Sequence, residues 1–265
     1  MRRRLRSRRS HSCAAAAIDP DRSRLATFLL IHGAWHGAWC WDRIVPLLRA
    51  AGHDVIAPDL PALGADRTPW WRATAGRFAR ATREAARGAA PVIAVGHSMG
   101  GLVITRAAVE EPRLFAGLVY LCAFAPQRGE SLLSLGRSDA ASRVPAAARW
   151  GFGRISIRPE RAIDAFYNGC APDDAERSIA RLVPNPIWPL IQRIDRPDHL
   201  DVPQAYIECT RDQAISIDLQ RRMHQRFAMQ RVVTMETDHS PFLCAPDELA
   251  EHLVSIARSF AGSTS

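Results

Sequence analysis

Short apolar runs alternate along this chain with segments whose apolar residues recur at helical spacing. Residues 25–31 (LATFLLI) form a continuous apolar run that ends at His32-Gly33. Residues 41–51 carry helical periodicity and stop at Gly52, a residue suited to the turn that ends a helix. A short strand over 54–57 precedes a Pro/Gly-rich loop, and 74–87 reads as a helix. Residues 91–95 read as a buried strand, 99–110 as a helix and 118–121 as another strand. Two more strands are expected over 205–209 and 231–235, and a last helix over 246–260. Strands that are apolar throughout, rather than alternating, are covered on both faces. Interleaved with helices, they predict an α/β fold with a mostly parallel central sheet flanked by helices.

The alternation breaks between about residues 127 and 200. There Pro, Gly, Arg and aromatic residues mix with short helical patterns at 159–167 and 173–182. An insertion at this point of a parallel sheet lies over the carboxyl ends of the strands, so a small helical lid is expected. The domain reading is a basic, disordered N-terminal tail over 1–24, then one domain over 25–265 with the lid inserted at about 127–200. No internal repeat is found.

Charge changes this picture little once it is located. The net charge is +8, but residues 1–24 hold eight arginines against Asp19 and Asp21, a contribution of +6, which leaves +2 for the remaining chain. A near-neutral body is not a nucleic-acid-binding surface. All 35 basic residues are arginine. The six cysteines show no CxxC pair and no zinc-like spacing with histidine, so they read as reduced, mostly buried thiols of a cytoplasmic protein. No apolar stretch approaches the ~18 residues of a membrane span.

The chemistry enters at residues 96–100, Gly96-His97-Ser98-Met99-Gly100, which match G-x-S-x-G. The motif follows a buried strand and opens a helix, the context in which a strained turn exposes a nucleophilic serine. Ser98 then needs a base. His239 lies after the last strand and before the final helix, where this chain order delivers one. The orienting acid belongs on the loop after the preceding strand, which points to Asp212. Among its competitors Glu208 lies within a strand, Asp218 within a helix, and Asp238 adjoins His239 and points elsewhere. His53, His199, His224 and His252 sit in surface-like polar or helical contexts. Acyl transfer also needs an oxyanion hole. Its expected donors are the backbone N–H groups of Met99 and of Ala34 in the loop HGAWHG. His32 and His36 sit in that Gly-rich loop without an accompanying carboxylate, so a structural role is expected and no metal site.

These residues carry a resemblance. The stretches HGAWHGAWCW (32–41), APDLPALG (57–64), VGHSMGG (95–101), YLCAFAPQRGES (120–131), YIECTRDQAI (206–215) and TDHSPFLCAPDEL (237–249) resemble the α/β-hydrolase superfamily. Within it they resemble the branch of plant methyl-ester esterases, hydroxynitrile lyases and bacterial esterase relatives. The resemblance implies a triad, an oxyanion hole and a small helical lid at the positions named. Lyases of that branch carry a lysine after the catalytic histidine and a hydroxyl residue in the oxyanion loop. Here those positions are Ser240 and Ala34, a departure that favours the esterase-like members.

The expectation is therefore a serine esterase that cleaves a small aromatic or alicyclic carboxylic ester and needs no cofactor. Trp35, Phe124, Trp150, Phe166, Trp188 and Phe242 are the expected pocket residues, with Phe152 and Tyr167 also in the lid. Arg137, Arg143, Arg149 and Arg154 either meet an acidic substrate or cover a solvated lid surface. Neither nucleic acid nor membrane is an expected partner, and a homodimer is compatible with the sequence. The rival readings are a non-hydrolytic reaction on the same triad (lyase, cofactor-free oxygenase or cyclisation), a binding protein that retains the fold, and nucleic-acid binding through the Arg-rich tail over 1–24.

Overall fold

The computed structural model describes residues 25–262. The tail over 1–24 and its expected disorder lie outside the described residues. The central sheet comprises β1 (Thr27–Ile31), β2 (Asp54–Ile56), β3 (Val92–His97), β4 (Phe115–Leu121), β8 (Gln204–Cys209) and β9 (Arg231–Met235), in the order β2-β1-β3-β4-β8-β9. Every ladder in it is parallel, with Ile31 paired to Gly96 and Cys209 to Met235. Side chains alternate across β1. Leu29 and Ile31 enter one apolar core with α2 (Ala75–Arg87) and α3 (Gly100–Glu110). Phe28 and Leu30 enter the other, with α1 (Ile44–Ala50) and α11 (Pro246–Ala261). Both faces are thus covered around the central strands, which carry no polar alternation, whereas the edge strand β9 leaves Val232 and Thr234 exposed.

Local sequence explains the ends of the elements. Thr74 caps α2 by accepting from Arg77 N at 3.2 Å. Gly52, at φ 91°, turns the chain out of α1 while His53 N donates to Leu48 O. The helix expected over 41–51 is shorter than its pattern. Ala38–Trp41 forms a separate 3₁₀ turn, and the α-helix starts only at Ile44.

The segment between β4 and β8 differs from the helical insertion expected. It contains the helices α4 (Leu132–Arg137), α5 (Val144–Ala147), α6 (Pro159–Phe166), α7 (Pro172–Ile179) and α8 (Trp188–Ile191). It also holds a small antiparallel sheet of β5 (Ala148–Trp150), β6 (Arg154–Ile157) and β7 (Asn185–Pro186). Strands this short leave no periodic signal, and one of them contains a proline. The remaining helices are α9 (Ile217–His224) and α10 (Pro241–Cys244). No described helix is long and apolar enough to cross a membrane.

Candidate active site

Ser98 occupies the turn between β3 and α3 with φ 54°, a left-handed conformation rarely adopted by a residue with a side chain. The turn is tight. A Cβ on Gly96 would lie 2.6 Å from Gly100 C, and one on Gly100 would lie 2.5 Å from Ile31 O. Ser98 N donates to Leu121 O at 3.2 Å, and Ser98 O accepts from Gly101 N and Phe124 N, both at 3.1 Å. The backbone is fixed in this way while the hydroxyl faces a cavity.

Asp212 and His239 arrive from the loops after β8 and β9. His239 Nδ1 donates to Asp212 Oδ2 at 2.7 Å, with both side chains buried. Asp212 Oδ1 accepts from Ala214 N (2.7 Å) and Ile215 N (2.9 Å), and Gln220 Nε2 donates to Oδ2 at 3.2 Å. Burial pushes the Asp212 carboxyl above the usual carboxylate range, while His239 and the two backbone donors oppose that shift. Behind the pair, His97 Nε2 donates to His239 O at 2.8 Å, and the two rings lie 4.6 Å apart. Among the described residues no hydrogen bond engages His239 Nε2 or Ser98 Oγ, so both atoms are free for chemistry.

The loop after β1 brings Ala34 to the same cavity. A Cβ on Gly33 would sit 2.9 Å from Ser98 Cβ, so glycine lets this loop reach the serine. Neither the Ala34 nor the Met99 N–H donates to another described residue, and Met99 stands at the amino end of α3. Trp35, at φ 63°, is tied to the inserted segment: its Nε1 donates to Ile155 O (2.8 Å) and its N to Asn185 Oδ1 (3.3 Å). His32 donates to Gly33 O and accepts from Leu60 N. His36 donates to Ala34 O and accepts from the Tyr167 hydroxyl at 2.9 Å. Burial lowers the pKa of both, that of His36 to about 3, so these imidazoles are neutral braces of the loop.

The cavity over Ser98 has a volume of about 260 Å³. Of the expected pocket residues, Trp35, Phe124, Trp150 and Phe166 line it, together with apolar residues of α4 and α5. Trp188 and Phe242 do not. Leu190 is the residue of α8 that reaches the cavity, and Trp188, two positions and about 200° earlier on the helix, turns to solvent. Phe242 is buried in the opposite core, its ring 5.6 Å from Trp41 and 5.0 Å from His97. Phe152 is exposed beside Trp70, and Tyr167 is spent on His36. His53 and His224 are buried rather than surface residues: His53 accepts from Ala26 N, and His224 meets Glu208 at 3.1 Å.

Two buried residues escape sequence reasoning. Gln220 braces the Asp212 loop, its side chain also donating to Ile215 O and accepting from Cys209 N. Asp238 faces away from Ser98, as expected, but it is a clamp. Its carboxylate accepts from Ser240 N and Gly169 N, both at 2.8 Å, and from the thiols of Cys170 and Cys244, both at 3.3 Å. It thereby ties the histidine loop to the inserted segment. The one available signal was a carboxylate between an apolar strand and a proline turn, a place too buried for a free charge.

Comparison with known proteins places the chain in a family. A family described as "Alpha/beta hydrolase family" matches residues 28–252. Methylesterase 2 of Arabidopsis thaliana is 30% identical over 260 residues, covering 91% of this chain and 99% of the relative. The pyrethroid hydrolase of Sphingobium wenxiniae is 31% identical over 257 residues, 86% of each chain. The crystal structure of a pyrethroid hydrolase from Sphingobium faniae superposes with a TM-score of 0.78 at 25% identity, covering 88% of this chain and 97% of the other. The chain belongs to the alpha/beta hydrolase family.

Proposed function

We propose that this enzyme is a serine carboxylic ester hydrolase that works through an acyl-enzyme. The observation that carries the reading is the division of labour at His239. Its Nδ1 is held by Asp212, which leaves Nε2 to act as the base, and Ser98 stands on a strained turn that lines an apolar cavity. Ser98 Oγ attacks the ester carbonyl as His239 Nε2 takes its proton. The Ala34 and Met99 N–H groups hold the oxyanion. His239 then protonates the departing alcohol, and a water activated by the same nitrogen releases the acid. Similarity to methylesterases and pyrethroid hydrolases supports an ester as substrate.

The segment between β4 and β8 acts as the lid, because it roofs Ser98 with Leu132, Leu133, Trp150 and Ile155. The cavity lies just below the roughly 300–1000 Å³ usual for small-molecule sites. Its aromatic walls and size suit a compact aromatic or alicyclic ester.

The test is trapping. Rapid mixing with a p-nitrophenyl ester is expected to give a burst of one p-nitrophenolate per site. Quenching is expected to leave the acyl group on the Ser98 peptide by mass spectrometry. Turnover with neither burst nor adduct, under conditions where deacylation is slowed by low pH, contradicts the acyl-enzyme.

A further inference from the structure

Resting on the ester-hydrolase reading above, the geometry points to substrates that carry a second, ionised carboxylate, monoesters of dicarboxylic acids, with Arg137 as the residue that selects them. The sequence offers four arginines in the lid for an acidic substrate, and the structure separates them. Arg143 donates to the Gln213 side chain at 2.9 Å. Arg154 lies over the Trp70 ring at 5.9 Å. Arg149 is exposed and outside the cavity lining. Arg137 alone of the four lines the cavity over Ser98, and among the described residues no other ionisable side chain does so.

No described residue pairs with the Arg137 guanidinium. The carboxylates that could have neutralised it are engaged elsewhere. Asp139 is buried and accepts from Ser216 N at 2.8 Å, and Glu130 pairs with Arg226 at 2.9 Å. The other polar side chain on the wall, Ser142, is also committed, donating to Ala214 O and accepting from Val144 N. Arg137 is thus the one uncommitted donor group of the wall apart from the machinery around Ser98.

The surrounding charge points the same way. Residues 131–158 supply more than half of the cavity lining and hold Arg137, Arg143, Arg149, Arg154 and Arg158 against Asp139 alone, a net +4. The chain after residue 24 totals only +2, so positive charge is concentrated in the segment that supplies most of the cavity wall. Low-dielectric walls focus such a field and draw anions. The cavity runs from the buried Ser98 to the exposed Arg137 and Trp150. The scissile carbonyl and the carboxylate would therefore sit at opposite ends of an apolar spacer. Hydrolysis of such a monoester takes up one water and yields the dicarboxylate, the alcohol and a proton. Arginine suits the distant end because its planar fork can grip a carboxylate with two hydrogen bonds.

The test compares two esters of nearly equal shape, monomethyl terephthalate and methyl 4-methylbenzoate, in the wild type, Arg137→Gln and Arg137→Glu. In the wild type kcat/KM is expected to favour the anionic ester by about tenfold. Arg137→Gln is expected to abolish that preference through KM of the anionic ester, and Arg137→Glu to reverse it. Raising the salt to 0.5 M should shrink the wild-type preference. A wild type that prefers the neutral ester, or a preference unchanged in both variants, overturns the inference and leaves the hydrolase reading intact. Failure to cleave either ester, with Ser98 also inert to a fluorophosphonate, overturns both.

Discussion

Asp212 Oδ2 and His239 Nδ1 lie 2.7 Å apart although 27 residues separate them in the chain, because adjacent parallel strands deliver both loops to the same end of the sheet. The carboxylate fixes which imidazole nitrogen carries the proton. Asp212→Asn is expected to keep the fold, since an amide oxygen can still accept from Ala214 N and Ile215 N. It presents an N–H where His239 needs an acceptor, so kcat should fall about 10³–10⁴-fold with little change in KM. Steady-state kinetics beside a thermal melt checks this, and a loss under tenfold would remove Asp212 from the triad.

Asp238 is expected to matter for stability more than for chemistry. Asp238→Ala leaves the N–H groups of Gly169 and Ser240 without an acceptor where the inserted segment meets the histidine loop. Each orphaned donor costs about 1–3 kcal/mol. At roughly 2–4 °C per kcal/mol for a domain of this size, Tm should drop by about 4–24 °C. A melt identical to the wild type would show that the clamp carries no load.

Gly33→Ala should inactivate without unfolding. The added Cβ lies 2.9 Å from both Ser98 Cβ and His97 Nδ1, so the loop after β1, proposed to hold the oxyanion, must retreat from the serine. Losing the alignment of one oxyanion donor costs about 10²–10³ in kcat. Circular dichroism and kinetics on the same preparation separate the two effects, and wild-type kcat in the variant would contradict the close approach.

Acid should destabilise the protein early. His32, His36 and His97 are buried, with pKa values pushed below the ordinary imidazole value, that of His36 to about 3. Between about pH 6.5 and 3 the unfolded chain therefore binds protons that the folded chain refuses, so stability falls as pH falls. His36 contributes about 1.4 kcal/mol per pH unit in that window, and His32 and His97 act in the same direction. Asp212, raised by burial, has the opposite sign, one carboxylate against three imidazoles. Urea unfolding at pH 7.5 and 5.0 should show a clear loss of stability at the lower pH, and His36→Gln should flatten the slope by about one proton. Equal stability at both pH values would contradict the neutral buried histidines.

Much of the frame was legible in the sequence, and physical reasons separate what was read from what was not. β3 and β4 announce themselves because strands covered on both faces are apolar almost throughout, and the ends of β3, β4, β8 and β9 fall within three residues of expectation. The positions of Ser98, Asp212 and His239 follow from chain order, since each stands just beyond the carboxyl end of a strand. The small sheet between β4 and β8 was not legible, because strands of two to four residues lack a period. Orientation within the lid was not legible either: Trp188 and Leu190 are equally apolar, and only the packed helix decides which one faces the cavity. The burial of His53 and His224 and the clamp at Asp238 depend on partners up to 69 residues distant, which no local pattern encodes.

The most direct test of the account is hydrolysis of p-nitrophenyl and methyl aryl esters by the wild type and Ser98→Ala, with both shown to be folded. The wild type should cleave them, and Ser98→Ala should lose at least about 10³-fold in kcat, since the attacking oxygen is gone. Undiminished hydrolysis by Ser98→Ala would contradict the assignment of Ser98, and with it the reading of His239 and Asp212 as its base and acid.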